Sequence, residues 1–248
     1  MSKIRMLNNN HIKIIAAVTM LVDHLGLIFF PKVTILRIIG RLSFPLFAFM
    51  IAEGARYTRN RIKYISVIAV LGVFCQLPVI IMHNDFHWNV LITFTLSIAV
   101  IYAIDYCKRT VFDGSTSFLE KALSVMVGVW APLGLFTLLF IFPQFHYSYG
   151  FYGCMAAVFA SLPNTRGIEN PPNWLKKLDN IPVRVALMAL PMIMYCLTDG
   201  IWYQNFSFFT LIFLLLYSGK KGKYSMKYFF YVFYPAHLII LYGIYALL

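Results

Sequence analysis

Apolar residues in this chain run in blocks rather than alternating, and clusters of charge, proline and glycine punctuate the blocks. The punctuation predicts nine apolar segments, at 12–30, 42–57, 63–82, 89–107, 120–142, 148–162, 183–199, 205–217 and 227–247. A helix needs about 20 apolar residues to cross a bilayer, and several of these segments reach that length. The second and eighth are shorter, which predicts tilted, extended or partly interfacial helices. Nowhere does the ten-residue alternation of a transmembrane barrel occur. The expected fold is therefore all-α: a polytopic transmembrane helical bundle of about nine helices, spanning 1–248 as a single integral-membrane domain with no soluble domain. Ten helices is the alternative, should the 120–142 region or the first connection hide a re-entrant pair. The basic start Met-Ser-Lys-Ile-Arg leads into a long apolar run with no small-residue cleavage site, so it is expected to be a retained first helix.

Composition removes the soluble alternatives. Hydrophobic residues make up 60% of the chain and charged residues only 12%, against about a quarter charged in ordinary soluble domains. A net charge of +12 would suit a nucleic-acid partner, but its distribution argues for topology instead and no nucleic acid is expected. With the amino terminus cytoplasmic, nine crossings place 18 of the 21 basic residues inside, as the positive-inside rule requires. Only Lys32, Arg37 and Arg41 fall in the first outward connection. The polar, proline-rich 164–182 stretch is expected to be the one sizeable cytoplasmic loop. Four scattered cysteines, and the loop histidines His83 and His87 beside Asp85, lack metal-ligand spacing. No metal is expected.

Against this apolar background the ionisable residues stand out. Asp23 and His24 lie adjacent near the middle of the first segment, where charge is costly and usually functional. Lys13 precedes His24 by 11 positions, which on a helix is roughly 16 Å of rise and only about 20° of rotation, so both share a face. Asp23 points about 100° away. Arg41 enters the second segment within Gly-Arg-Leu-Ser-Phe-Pro-Leu-Phe, and Glu53 follows three turns on, beside the basic cluster Arg56, Arg59, Arg61 and Lys63. That cluster reads either as a topology flank or as a reader of phosphates in an anionic donor such as coenzyme A. Asn89 opens the fourth segment, Tyr149 sits in an aromatic and glycine run whose default role is packing, and Tyr234 and His237 flank Pro235 in the last segment. Walker loops, dinucleotide fingerprints, HExxH motifs and nucleophile elbows are absent from the sequence. Two classes remain: an acyltransferase using a cytosolic thioester, or a proton-coupled small-solute transporter.

The ordered set Lys13, Asp23-His24, the Gly40-Arg41-Leu42-Ser43-Phe44-Pro45-Leu46-Phe47 run, Glu53-Gly54, Thr58-Arg59-Asn60 with Tyr64, and the 89–93, 217–222 and 231–238 segments resembles the TraX family over nearly the whole chain. The namesake of that family is a pilin amino-terminal acetylase, and it is grouped with the transmembrane acyltransferases of the acyltransferase-three and heparan acetyltransferase types. There a basic residue, ten intervening residues and a histidine mark the catalytic centre, the spacing of Lys13 and His24. The resemblance implies transfer of an acetyl group from cytosolic acetyl-CoA, the donor substrate, to an acceptor at the outer face: a peptide amine, a glycan or a lipid head group. His24 and Asp23 would be catalytic. Lys13, Arg41, Arg56, Arg59, Arg61 and Lys63 would face the donor, and Glu53, Asn89, Tyr149, Tyr234 and His237 the substrate pocket. It also implies a multi-pass protein of the bacterial cytoplasmic membrane, in contact with its lipids. A non-catalytic role in pilus or conjugation assembly is the further alternative. Where the family usually carries an aspartate before Tyr149, this chain has Ser148.

The expected topology is directly measurable. Reporter fusions after Leu248 should read as external and fusions within 164–182 as cytoplasmic; a cytoplasmic carboxy terminus would rule out an odd number of crossings.

Overall fold

The computed structural model describes residues 6–83, 88–141, 148–223 and 226–248, and they are helical almost throughout. Helices α1 (Asn9–Ile28), α2 (Thr34–Gly40), α3 (Ser43–Tyr57), α4 (Arg61–His83), α5 (Val90–Phe112) and α6 (Phe118–Ile141) are followed by α7 (Gly150–Ser161), α8 (Asn173–Leu178) and α9 (Ile181–Asp199). A 3-10 helix (Trp202–Phe209) then runs into α10 (Thr210–Leu215), and α11 (Lys227–Tyr245) follows. Asp85, His87 and Tyr147 lie outside the described residues, as does the side chain of His83. Leu7 and Tyr217 pair as an isolated bridge. Five stretches are long and apolar enough to cross a bilayer: Asn9–Ile28, Thr34–Tyr57, Val90–Phe112, Phe118–Ile141 and Ile181–Thr198, with Gly150–Ser161 and Phe229–Tyr245 as shorter apolar helices. The chain is an all-α helical membrane protein.

Each of the nine segments expected from the sequence falls on helix, with three differences of detail. The second begins earlier, because α2 already carries Arg37 as helix and leads through Arg41 into α3. The eighth is a 3-10 helix continued by α10. The 164–182 stretch is not all loop, since α8 forms in it immediately after Pro172, whose fixed φ suits a helix start. Several boundaries are set by side chains that take up the first amide hydrogens of a helix. The Asn8 side chain accepts from the amide of His11 at 3.0 Å, that of Asn60 from Lys63 at 2.8 Å, and that of Asn180 from Val183 at 3.0 Å. Ser117 and Glu120 form a reciprocal capping box at the start of α6.

Packing divides the chain into two units, Met1–Met50 with Ile193–Leu248, and Ile51–Met192. In the first, α2 and α11 both pack on α1. Two glycines set how closely α2 lies. A Cβ on Gly26 would come within 2.7 Å of Leu36 Cβ, and one on Gly40 within 2.1 Å of Asp23 Oδ1. The amino-terminal residues are tied to the end of α10: Leu7 donates its amide to Leu216 O at 3.1 Å, Ser218 to Leu7 O at 2.8 Å, and Asn9 to Lys220 O at 3.0 Å.

In the second unit α5 is the centre, with α4, α6 and α7 packed on it. Its buried and half-buried carboxylates Glu53, Asp105 and Asp179 are each paired with a base. Asp105, buried on α5, meets Arg61 at 3.0 Å and Lys108 at 3.2 Å, and Lys108 also donates to the carbonyls of Leu162 and Asn164. Asp179 takes both terminal nitrogens of Arg56 together with the amide and hydroxyl of Thr165. Glu53 pairs with Arg184, both buried, and Arg184 Nε donates to Ala160 O at 2.7 Å. Burial alone would raise the Asp179 carboxyl, but the hydrogen bonds and charge of Arg56 and the two bonds from Thr165 outweigh it and hold the group below its ordinary value of 3.8.

Two outcomes follow from this packing. Gly40→Ala should lower thermal stability in detergent, at the about 1–3 kcal/mol typical of overpacking, whereas Gly134→Ala, with nothing within 4 Å of the added carbon, should not. Because the folded Asp179 is more acidic than the unfolded one, its contribution is complete above the unfolded value and disappears as pH falls through the folded value. Thermal midpoints measured across that acidic range should therefore fall less steeply in Asp179→Asn than in the parent chain.

Candidate functional site

The first unit brings together the two intramembrane histidines. His24 on α1 and His237 on α11 stand edge to face, with ring centroids 5.0 Å apart at 66°. Each ring folds back along its own helix: His24 Nδ1 lies 2.9 Å from Met20 O and His237 Nδ1 2.8 Å from Phe233 O, both carbonyls four residues earlier. A carbonyl oxygen only accepts, so both Nδ1 atoms carry hydrogen. His237 Nε2 then approaches His24 Nδ1 at 3.4 Å. The second ring is held on both sides, stacked on Phe233 at 5.0 Å and 10° and met edge-on by Tyr234 at 5.8 Å. His237 is buried, His24 partly so. Pro235, two residues before His237, interrupts the backbone ladder of α11 at this level.

Asp23 does not face His24. Its carboxylate meets Arg37 Nη1 at 3.0 Å and lies 4.0 Å from Arg41 Nη2, and Arg37 also donates to the backbone carbonyl of Asp23 at 3.2 Å. Arg41, buried, lies over the Tyr203 ring at 5.2 Å. The close approach of α2 at Gly40 delivers both arginines to this one carboxylate. Lys13, about three turns before His24 on the same helix, has its ammonium 5.6 Å from the centre of the Phe230 ring, a cation–π contact that offsets part of the cost of burial.

The remaining expected site residues lie in the second unit, where most have structural partners. Glu53 is paired with Arg184. Arg56 and Arg61 are committed to Asp179 and Asp105, while Arg59 and Lys63 are exposed. Asn89 caps α5, accepting from Leu91 N at 3.0 Å and donating to Gly72 O and Gln76 Oε1. Tyr149 precedes α7 with φ +64°, in the left-handed region. Its neighbour Ser148 latches α7 to α5: amide and hydroxyl both donate to Trp88 O, and its carbonyl accepts from Thr93 Oγ1 at 2.8 Å. Gly54 leaves the space that the Tyr64 hydroxyl occupies, which would lie 2.1 Å from an added Cβ. Among the described residues, no three His, Cys, Asp or Glu side chains converge as a metal site requires.

Sequence reasoning missed Arg37 and Tyr203 in the first unit, and Asp105, Asp179 and Arg184 as partners in the second. Arg37 was recoverable, since it lies one helical turn before Arg41 and a pair four apart shares a face. Tyr203 and Arg184 carried no such signal, because their partners are 162 and 131 positions away in sequence.

Comparison with known proteins places the chain in a family. Residues 8–245 match the family described as TraX protein. Over 253 aligned residues, 93% of this chain and 92% of the other, the sequence is 27% identical to a protein of Dichelobacter nodosus named probable fimbrial assembly protein FimC, serogroup H1. Over 123 residues it is 31% identical to uncharacterized protein RP591 of Rickettsia prowazekii (strain Madrid E), covering 48% of this chain and 45% of that one. No solved structure matches. With the family matched from before α1 to the end of α11, the chain belongs to the TraX family.

Proposed function

We propose that this protein is an acetyl-CoA-dependent acyltransferase of the cytoplasmic membrane, moving an acetyl group from the cytosolic donor to an amine or hydroxyl acceptor at the outer face. The observation that carries the reading is the buried His24–His237 pair within a helical membrane protein of the TraX family. With Nδ1 of His24 protonated toward Met20 O, its lone pair is on Nε2, and among the described residues no hydrogen bond engages that atom. This is the form of imidazole that accepts a proton. Asp23, occupied by two arginines, does not act on His24 directly; it anchors α2 to α1 at the level of the ring.

The reaction needs only transfer of a proton alongside acyl transfer. His24 Nε2 takes the acceptor proton as the amine or hydroxyl attacks the thioester carbonyl, and returns it to the departing thiolate, in a ternary complex with no acyl-enzyme. The donor phosphates require exposed positive charge. In the first unit Lys220 and Lys221 are exposed, and Lys220 is bonded through its carbonyl to the start of α1. Fifteen residues of helix, roughly 22 Å, separate Asn9 from His24, a span that suits an extended donor arm. Of the basic cluster on the following loop, Arg59 and Lys63 keep exposed charge, whereas Arg56 and Arg61 are already neutralised by carboxylates. The resemblance to the acyltransferase-three type supports the same assignment of Lys13 and His24.

A second reading is a non-catalytic role in assembling a pilus or conjugation apparatus. It is favoured by the likeness to the Dichelobacter nodosus protein named for fimbrial assembly. Binding of coenzyme A separates the two.

The decisive measurement is transfer from deuterated acetyl-CoA to components of the cell envelope, followed by mass spectrometry, alongside calorimetric binding of coenzyme A. His24→Ala should retain binding and lose about 10²- to 10⁴-fold in turnover, the range of general base catalysis. A fully active His24→Ala protein would overturn the site assignment, and an acetyl group trapped on His24 would overturn the ternary complex. No affinity for coenzyme A would favour the assembly role.

A further inference from the structure

The contact between the two imidazoles defines more than a packed aromatic pair. Both Nδ1 atoms point at backbone carbonyls of their own helices, His24 at Met20 and His237 at Phe233, and must carry hydrogen. In the neutral protein His237 Nε2 is therefore a bare lone pair, and it faces the hydrogen-bearing Nδ1 of His24 at 3.4 Å. The His24 Nδ1–H is shared between Met20 O and this second acceptor. Two rings arranged this way form a chain: a proton arriving at His24 Nε2 can be matched by departure of the Nδ1 proton to His237 Nε2.

We infer that His237 is a positioning residue that shares the proton taken up by His24, so that the two rings act as one base. The inference rests on the reading of His24 as the general base for acyl transfer. As the acceptor attacks, the bond from its heteroatom to the carbonyl carbon forms while its proton passes to His24 Nε2. The Nδ1 proton of His24 moves to His237 Nε2, leaving His24 neutral and His237 as the imidazolium. When the tetrahedral adduct collapses, the carbon–sulfur bond breaks and the thiolate takes the proton from His24 Nε2. His237 returns its extra proton to His24 Nδ1, and both rings are neutral again. Every proton is accounted for, and no other reactant enters.

The surroundings fit a delocalised charge. Hydrogen-bond acceptors already hold both rings, Met20 O for His24 and Phe233 O for His237, while Phe233 stacks on the second ring. Of the charged groups near the pair, Arg37 and Arg41 meet Asp23 and Lys13 lies over Phe230, while the charge of Arg37 also acts on His24; α11 further carries Tyr231, Tyr242 and Tyr245. Tyr234 meets His237 edge-on. Among the described residues, the hydrogen-bond partner of His24 Nδ1 beyond its own helix is His237 Nε2.

The test uses the full chain in detergent with ring-nitrogen-labelled histidine, and needs no substrate. Nuclear magnetic resonance should show Nδ1 protonated and Nε2 bare in both rings at high pH. On acidification, the signals of His24 and His237 should move together with one shared midpoint as a single proton enters the pair. Two independent midpoints, or His24 neutral with its hydrogen on Nε2, would overturn the proposal. With acetyl-CoA as the probe donor and the envelope as acceptor, His237→Gln can still accept from Nδ1 but cannot carry the proton. It should lower kcat roughly 10-fold or more, a share of the 10²–10⁴ typical of base catalysis, displace the acidic limb of the pH–rate profile, and leave the KM for acetyl-CoA unchanged. An active His237→Phe protein with the parent pH profile would overturn proton sharing while leaving His24 as base. Conversely, shared titration in a protein that transfers no acetyl group would support the pair and remove the transferase reading.

Discussion

The bilayer sets the condition that every ionised side chain within it has to meet: in hydrocarbon, an unpaired charge costs several kcal/mol, and backbone groups must be satisfied within helices. The same pairing of acids with bases, several of them far apart in sequence, runs through the chain inside and beside the membrane-spanning helices, and Lys13 lies instead over the Phe230 ring. Asp23 is met by Arg37 and Arg41, Glu53 by Arg184, Asp105 by Arg61 and Lys108, and Asp179 by Arg56. Such pairs are not large sources of stability, since the cost of desolvation offsets much of their attraction. What they contribute is specificity of arrangement, because a helix that slips out of register strands a charge.

Against that network the histidines are the exception. They are held by carbonyls of their own helices and by each other rather than by carboxylates. A neutral imidazole can be buried without a counter-ion, so the site can hold a proton acceptor where an ionised base would need a partner. Keeping Asp23 on the arginines is part of the same arrangement.

Two small residues decide whether this arrangement forms. Gly40 allows α2 to come within contact of Asp23, and Gly26 leaves room for Leu36. Without them the arginines of α2 could not close on the first helix. In the other unit the pairing of Arg56 and Arg61 changes how the basic loop is read. Half of a cluster that looked uniform along the sequence is internal structure, and the charge of Arg59 and Lys63 remains exposed.

The sequence by itself determined the class of this protein, its helical segments and the residues worth suspecting, because the length and apolarity of a spanning helix are local properties and a rare ionisable residue is conspicuous in apolar surroundings. Helical spacing alone set Lys13 and His24 on one face and turned Asp23 off it. What only the tertiary structure decided was partnership. His24 meets His237 from 213 positions away, Arg41 finds Tyr203, and Glu53 finds Arg184. None of these is a matter of local propensity: periodicity fixes which face of a helix a side chain occupies, but not which other helix that face will meet. That choice comes from packing, through glycines that admit a close neighbour and charges that have to be neutralised, and it turns two suspected histidines into one buried pair.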